Sequence, residues 1–234
     1  MGASPYAPVD LVDGVLTIRL PAAQASIASE LTTSLHVNAM NNLMALLSFA
    51  QADENVNVIV LRDEGEQFGA SLGVAASVDP QVTHTKVTHQ FVQRLRNLPQ
   101  PIVAMVHGQI HDQALAVLQA FDIVLATGQD DWATLSFPVS ELEEQTYKLA
   151  RELASKDPLI LRFTKKTVQQ VASIAWEDIL SFTTVQQAEI KSLQAGQPSP
   201  RALAIESFLA GKSCLLYTSP SPRDRTRSRM PSSA

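Results

Sequence analysis

The stretch PQPIVAMVHGQIHDQALAVLQAFDIVLA, residues 99–126, decides the fold. Its first part, PIVAMV (101–106), is an unbroken apolar run of strand length, the pattern of a strand buried on both faces. His107 and Gly108 interrupt it, a helix is expected from about Asp112 to Phe121, and DIVLAT (122–127) reads as another buried strand. Strand, helix, strand with so little chain between them is the signature of an α/β sheet. Two histidines, an aspartate and glutamines crowd the strand-to-helix junction, where they raise the question of a catalytic cluster, a metal site or the remnant of an older site.

The same alternation extends outward. VDLVDGVLTIRL (9–20) reads as two short strands around a turn at Asp13-Gly14. In residues 29–51, Leu31, Leu35, Met40, Leu43, Met44 and Leu47 recur at helical spacing. VNVIVLRD (56–63) is a β-branched strand, and HTKVTHQFVQRLRNL (84–98) is a helix ended by Pro99 and Pro101. The remainder is helical: 140–157, opening on the capping-box pattern Ser140-x-x-Glu143; 158–175, opening on Pro158 in a favoured first-turn position; 176–196; and 199–212.

With 234 residues the chain can bury a sizeable core. A hydrophobic content of 45% with 18% charged residues is ordinary for a globular protein. No apolar run approaches the roughly 20 residues that span a bilayer. The opening MGASPYAPVD lacks a basic region followed by an apolar one, so a cytoplasmic location away from membranes is the expectation. A net charge of −5 offers no general attraction to nucleic acid. The single cysteine, Cys214, rules out an intramolecular disulfide and a cysteine-rich metal site.

The composition shifts abruptly toward Ser, Pro and Arg in SCLLYTSPSPRDRTRSRMPSSA (213–234). CLLYTSPSPRD is similar to the translation of a transposase-type sequencing adapter, and SRMPSSA to its downstream end. Residues 214–234 are therefore expected to be non-biological, which removes Cys214 and the clustered arginines from functional argument and leaves the natural C-terminus missing. The domain reading is an N-terminal extension (1–8), an α/β core (9–139), a helical part (140–213) and the adapter-like tail (214–234).

This layout resembles the enoyl-CoA hydratase/isomerase, or crotonase, superfamily. VNVIVLRDEGEQFGASLGV (56–74) is similar to the family's V-x-V-x-V-L-T-G-x-G-x-x-F-C-A-G-A-D-L. Residues 99–126 align without a gap to P-x-P-V-I-A-A-V-N-G-x-A-x-G-G-G-L-E-L-A-L-A-C-D-x-x-x-A. PLILRFTKKTV (158–168) resembles P-x-A-x-x-x-x-K-x-x-x, and ALAIESFLAGK (202–212) the family's E-G-x-x-A-F-x-x-K. The resemblance implies an α/β fold, a ββα-spiral core with C-terminal helices. It is incomplete here, because the family usually carries a few dozen more residues between LSFPVS (135–140) and ELEEQ (141–145). That gap is either a genuine loss or the product of mis-splicing or misassembly.

The resemblance also implies a chemistry. Two backbone N–H groups form an oxyanion hole for the thioester oxygen, and in hydratases two glutamates handle water and the proton. The oxyanion positions fall on Leu72 and Gln113. Phe68, Ala70, His111 and Asp112 are candidates to line the thioester pocket, and Lys212 matches a late lysine near the CoA phosphates. The family's three glycines are Asp112, Gln113 and Ala114 here, so a glutamine side chain is expected to crowd the thioester and Asp112 to add negative charge beside it. The two glutamate positions are occupied by Ala116 and Val139, neither of which moves a proton. No catalytic residue is retained.

The remaining polar residues have plain explanations. His107 and His111 are four apart, but His107 ends a strand at the family's structural Asn position and Gly108 breaks the backbone, so no metal site is expected. Asp112 suits a helix N-terminus. Glu141, Glu143 and Glu144 could replace a lost carboxylate, but an acidic first helical turn accounts for them. Three readings follow. The first is a divergent crotonase-type domain without hydratase activity, with a role in structure or assembly. The second is an active lyase or decarboxylase on acyl-CoA or acyl-carrier-protein thioesters. The third is a truncated or misassembled fragment. The expected ligand is a coenzyme A thioester with no further cofactor, and the family's habit implies a homotrimer.

Overall fold

The structure is a computed structural model that describes residues 9–20, 29–63, 67–68, 82–110, 112–128, 131–171, 173–196, 198 and 200–210. Contacts divide the chain into two compact units, Met1–Thr183 and Thr184–Ala234.

The first unit opens on a hairpin, β1 (Val9–Val12) and β2 (Val15–Leu20), as the Asp-Gly pair predicts. Asp13 at φ 52° and Gly14 at φ 77° supply the two left-handed residues that a type I′ turn demands. Helix α1 (Ser29–Ala52) leads to β3 (Val58–Asp63), then to the short β4 (Gln67–Phe68). Helix α2 (Val82–Asn97), β5 (Ile102–Val106), the short β6 (Gln109–Ile110), α3 (Asp112–Leu118) and β7 (Ile123–Ala126) follow. After β8 (Leu135–Ser136) come α4 (Val139–Ala154) and α5 (Pro158–Val171), then a single 3-10 turn (Trp176–Asp178) and α6 (Ile179–Leu193). The second unit holds the end of α6 and α7 (Pro200–Leu209).

The main sheet has the order β1-β2-β3-β5-β7-β8, antiparallel only at the β1–β2 edge and parallel elsewhere. Because successive side chains point to opposite faces, each buried strand feeds two cores. Ile18, Ile59, Leu61, Ile102, Ala104 and Val106 face one side, where Met40, Leu43 and Leu47 of α1 and Phe91 and Leu95 of α2 close over them. Val15, Val58, Val60, Val103, Met105 and Leu125 face the other, covered by Leu142, Ala150 and Ala154 of α4. Burying one such aliphatic or aromatic side chain is worth about 1.5–3 kcal/mol, and this two-sided burial is why PIVAMV reads as a continuous apolar run. The α/β expectation stands, and α4 belongs to the sheet's second layer in the same unit as the strands.

One local expectation needs correction. The Ser140-x-x-Glu143 box does not start its helix: α4 begins at Val139, Pro138 occupies the N-cap, and no side chain caps the turn. Proline's fixed geometry ends the preceding extended chain, and Glu141 N and Leu142 N donate to Pro138 O at 2.9 and 3.0 Å instead. Ser140 and Glu141 are consecutive residues inside this helix. A short connection lies just before it. Parallel neighbours in a sheet need a crossover of about a dozen residues or more, whereas β7 and β8 are joined by residues 127–134 alone. At α5, by contrast, Pro158 opens the helix as expected, with Asp157 Oδ1 accepting Leu159 N at 2.8 Å and Ile160 N at 3.4 Å.

Candidate functional site

Beside the main sheet a two-stranded parallel ladder joins β4 to β6, with Gln67 opposite Gln109 and Phe68 opposite Ile110. This ladder draws together two segments far apart in sequence. One strand leads toward Leu72; the other runs into α3, which carries Asp112 and Gln113 at its start. Gly108 makes the second strand's path feasible: at φ 81° it turns the chain out of β5 and into β6, a conformation that side chains disfavour. Phe68 is fully buried and meets Phe121 edge-on, ring centroids 6.4 Å apart at 74°. It therefore anchors the ladder to the core, where Ala114, Val117 and Leu118 of α3 also pack.

Ala70, Leu72, His111 and Lys212 lie outside the described residues, as does residue range 211–234. Asp112, Gln113 and Ala116 are placed on α3 by their backbone. Val139 is 76% exposed at the first turn of α4. The helix carrying Ala116 packs on the α1–α2 side of the sheet and the helix carrying Val139 on the other. Among the described residues no group of three or more His, Cys, Asp or Glu side chains could hold a metal ion, and no helix is long and apolar enough to cross a membrane.

The candidate replacement acids are also accounted for. Glu143 Oε1 accepts a hydrogen bond from Arg62 Nη1 at 2.6 Å, across the α4 side of the sheet. Burial disfavours the Arg62 charge, but hydrogen bonds to Tyr147 and Glu143 outweigh it and raise its pKa. Glu141 and Glu144 are exposed on α4. Of the three, only Glu141 stands in the first turn of α4.

A polar network not singled out from the sequence sits at the opposite, N-terminal ends of β5 and β7. Lys165 Nζ pairs with Asp122 Oδ2 at 2.7 Å and donates to Gln100 O at 3.0 Å. Asp122 Oδ2 accepts Ile102 N at 2.8 Å, while Asp122 N donates to Ile102 O at 3.1 Å. Gln100, itself buried, donates to Ala50 O at 2.9 Å. One ammonium thereby ties α5 to the end of α2 and to the starts of β5 and β7. Burial pushes the Lys165 pKa down, and the neighbouring carboxylate only partly opposes this. Both residues had a signal: they occupy the fixed Asp and Lys positions of the motifs at 99–126 and 158–168.

The chain is similar to the enoyl-CoA hydratase of Bacillus anthracis, with a TM-score of 0.69 and 15% identity over 88% of this chain and 97% of that one. It is similar to human enoyl coenzyme A hydratase domain-containing protein 3, with a TM-score of 0.65 and 16% identity over 89% and 98%. A third similar structure is an enoyl-CoA hydratase/isomerase family protein from Silicibacter pomeroyi, with a TM-score of 0.64 and 18% identity over 78% and 98%. It has the crotonase fold. No family sequence model matches the chain. The crotonase fold is thus retained in three dimensions although the sequence has drifted to 15–18% identity with these three structures.

Proposed function

We propose that this crotonase-fold chain belongs to acyl-thioester metabolism but does not hydrate enoyl thioesters. The observation that carries the reading is the β4–β6 ladder, which sets side by side the strands leading to Leu72 and Gln113. Backbone donors at two such positions stabilise a thioester oxyanion whatever their side chains. Proton transfer is what is missing: Ala116 and Val139 stand where a hydratase has carboxylates, and they lie on helices covering opposite faces of the sheet. Each general acid or base contributes about 10²–10⁴-fold, so losing two removes about 10⁴–10⁸-fold. The ligand of this reading is an acyl-CoA or acyl-carrier-protein thioester, with no further cofactor. Exposed Val168, Trp176 and Leu180 support self-assembly, as in a homotrimer. The test is hydration of crotonyl-CoA by the full chain, alongside calorimetric titration with the same thioester. The reading expects no turnover, and turnover near that of a hydratase would overturn it.

The same ladder favours a second reading. A decarboxylase acting on a carboxylated acyl thioester needs only an oxyanion hole: the C–C bond to the carboxylate breaks, CO₂ leaves, and its electron pair becomes an enolate held by the backbone N–H groups. Release of CO₂ from a malonyl-type thioester, dependent on the protein, would favour this activity over an inactive domain.

A further inference from the structure

At the ends of the parallel strands away from the β4–β6 ladder, two adjoining cavities of about 330 and 720 Å³ open between the end of α2 and α5. They share Arg96, Asn97, Lys165, Gln169 and Gln170. The smaller adds Arg162 and Lys166; the larger adds an apolar wall that includes Phe121, Ile123 and Leu161. Arg96, Arg162 and Lys166 enter no ion pair with a described carboxylate. The one carboxylate of the lining, Asp122, is already held by Lys165 at 2.7 Å. Arg162 and Lys166 stand one helical turn apart on α5, a like-charge arrangement that disfavours the empty helix. Gln170 Oε1 is buried with no hydrogen-bond partner, an acceptor left without a donor.

We propose that this groove binds a nucleoside phosphate. Its parts match that chemistry. Arginine and lysine side chains free of carboxylates suit a phosphate, arginine by its planar fork. The apolar wall at Phe121 and Leu161 suits the face of a base. Gln169 Nε2 already donates to Asp122 Oδ1 at 3.3 Å, but the amides of Asn97 and Gln170 offer donors and acceptors to a heterocycle edge, and Gln170 Oε1 accepts from an exocyclic amine or a ribose hydroxyl. The larger cavity is of the size that small-ligand sites occupy, roughly 300–1,000 Å³. The groove lies at the other end of β5 from the β4–β6 ladder.

The test is thermal denaturation of the full chain with adenosine monophosphate, adenosine or inorganic phosphate at constant ionic strength. Adenosine monophosphate at ten times its Kd is expected to raise Tm by roughly 3–6 °C, more than adenosine or phosphate alone. An Arg162→Gln/Lys166→Gln variant is expected to lose that shift, and Gln170→Ala to weaken it while sparing any phosphate effect. On the unaltered protein, photo-crosslinking with 8-azidoadenosine monophosphate is expected to label peptides from residues 93–101 or 158–171, a readout that no folding defect in a variant can obscure. Absence of a shift, an equal shift with inorganic phosphate, a full shift in the double variant, or crosslinking confined to other peptides would each overturn the proposal.

Discussion

Lys165→Met is the most instructive perturbation of the scaffold. Methionine keeps most of the buried stem but removes the ammonium that Asp122, Gln100 O and Leu95 O share. The Lys165 side chain is 4% exposed and that of Asp122 18%, so the change strands a carboxylate with little water to replace its partner. Breaking a buried pair by deleting one member costs about 3–5 kcal/mol. Because Asp122 keeps some solvent and still accepts Ile102 N, the lower end, about 3 kcal/mol, is expected. For a domain of this size that lowers Tm by about 6–12 °C. Asp122→Asn combined with Lys165→Met removes the stranded charge and is expected to recover more than half of the loss, since a neutral amide oxygen still receives Ile102 N. Chemical and thermal denaturation of the parent, both single variants and the double variant complete the cycle. A Lys165→Met protein within 1 kcal/mol of the parent, or a double variant less stable than both singles, would refute the idea that this pair ties α5 to the sheet.

Other consequences are more local. The Lys165 pKa is lowered in the folded state, so on raising the pH the native protein releases this proton before the unfolded chain does. The parent should therefore gain stability relative to Lys165→Met as pH climbs through the lowered value toward the usual lysine range, and lose that gain as pH falls through it; denaturation of both proteins across alkaline pH measures it. Gly14→Ala is expected to cost about 1–2 kcal/mol, because φ is 77° and an added Cβ meets Asn57 Nδ2 at 3.0 Å, and urea denaturation reads it directly.

Legibility in the sequence followed burial. Strands buried on both faces, such as IVAMV in β5, leave an apolar run that identifies them, and the Asp13-Gly14 turn declares its hairpin through its left-handed backbone. The two-residue strands β4 and β6 leave no trace in the sequence, because two residues carry no periodicity. The start of α4 was misread for a physical reason: a serine two residues after a proline has the right type for a cap but the wrong place once proline has taken the N-cap. The Lys165–Asp122 pair was missed because 43 residues of sequence, Asp122 to Lys165, separate two groups that only the packed helix brings together.

The proposed function is that of a crotonase-fold chain that holds an acyl thioester without hydrating it. The full chain incubated with crotonyl-CoA, followed by loss of the enoyl-thioester absorbance, tests it most directly. A rate indistinguishable from buffer at all protein concentrations is expected. A rate that scales with protein and disappears in Asp112→Asn or Glu141→Gln would contradict the proposed function.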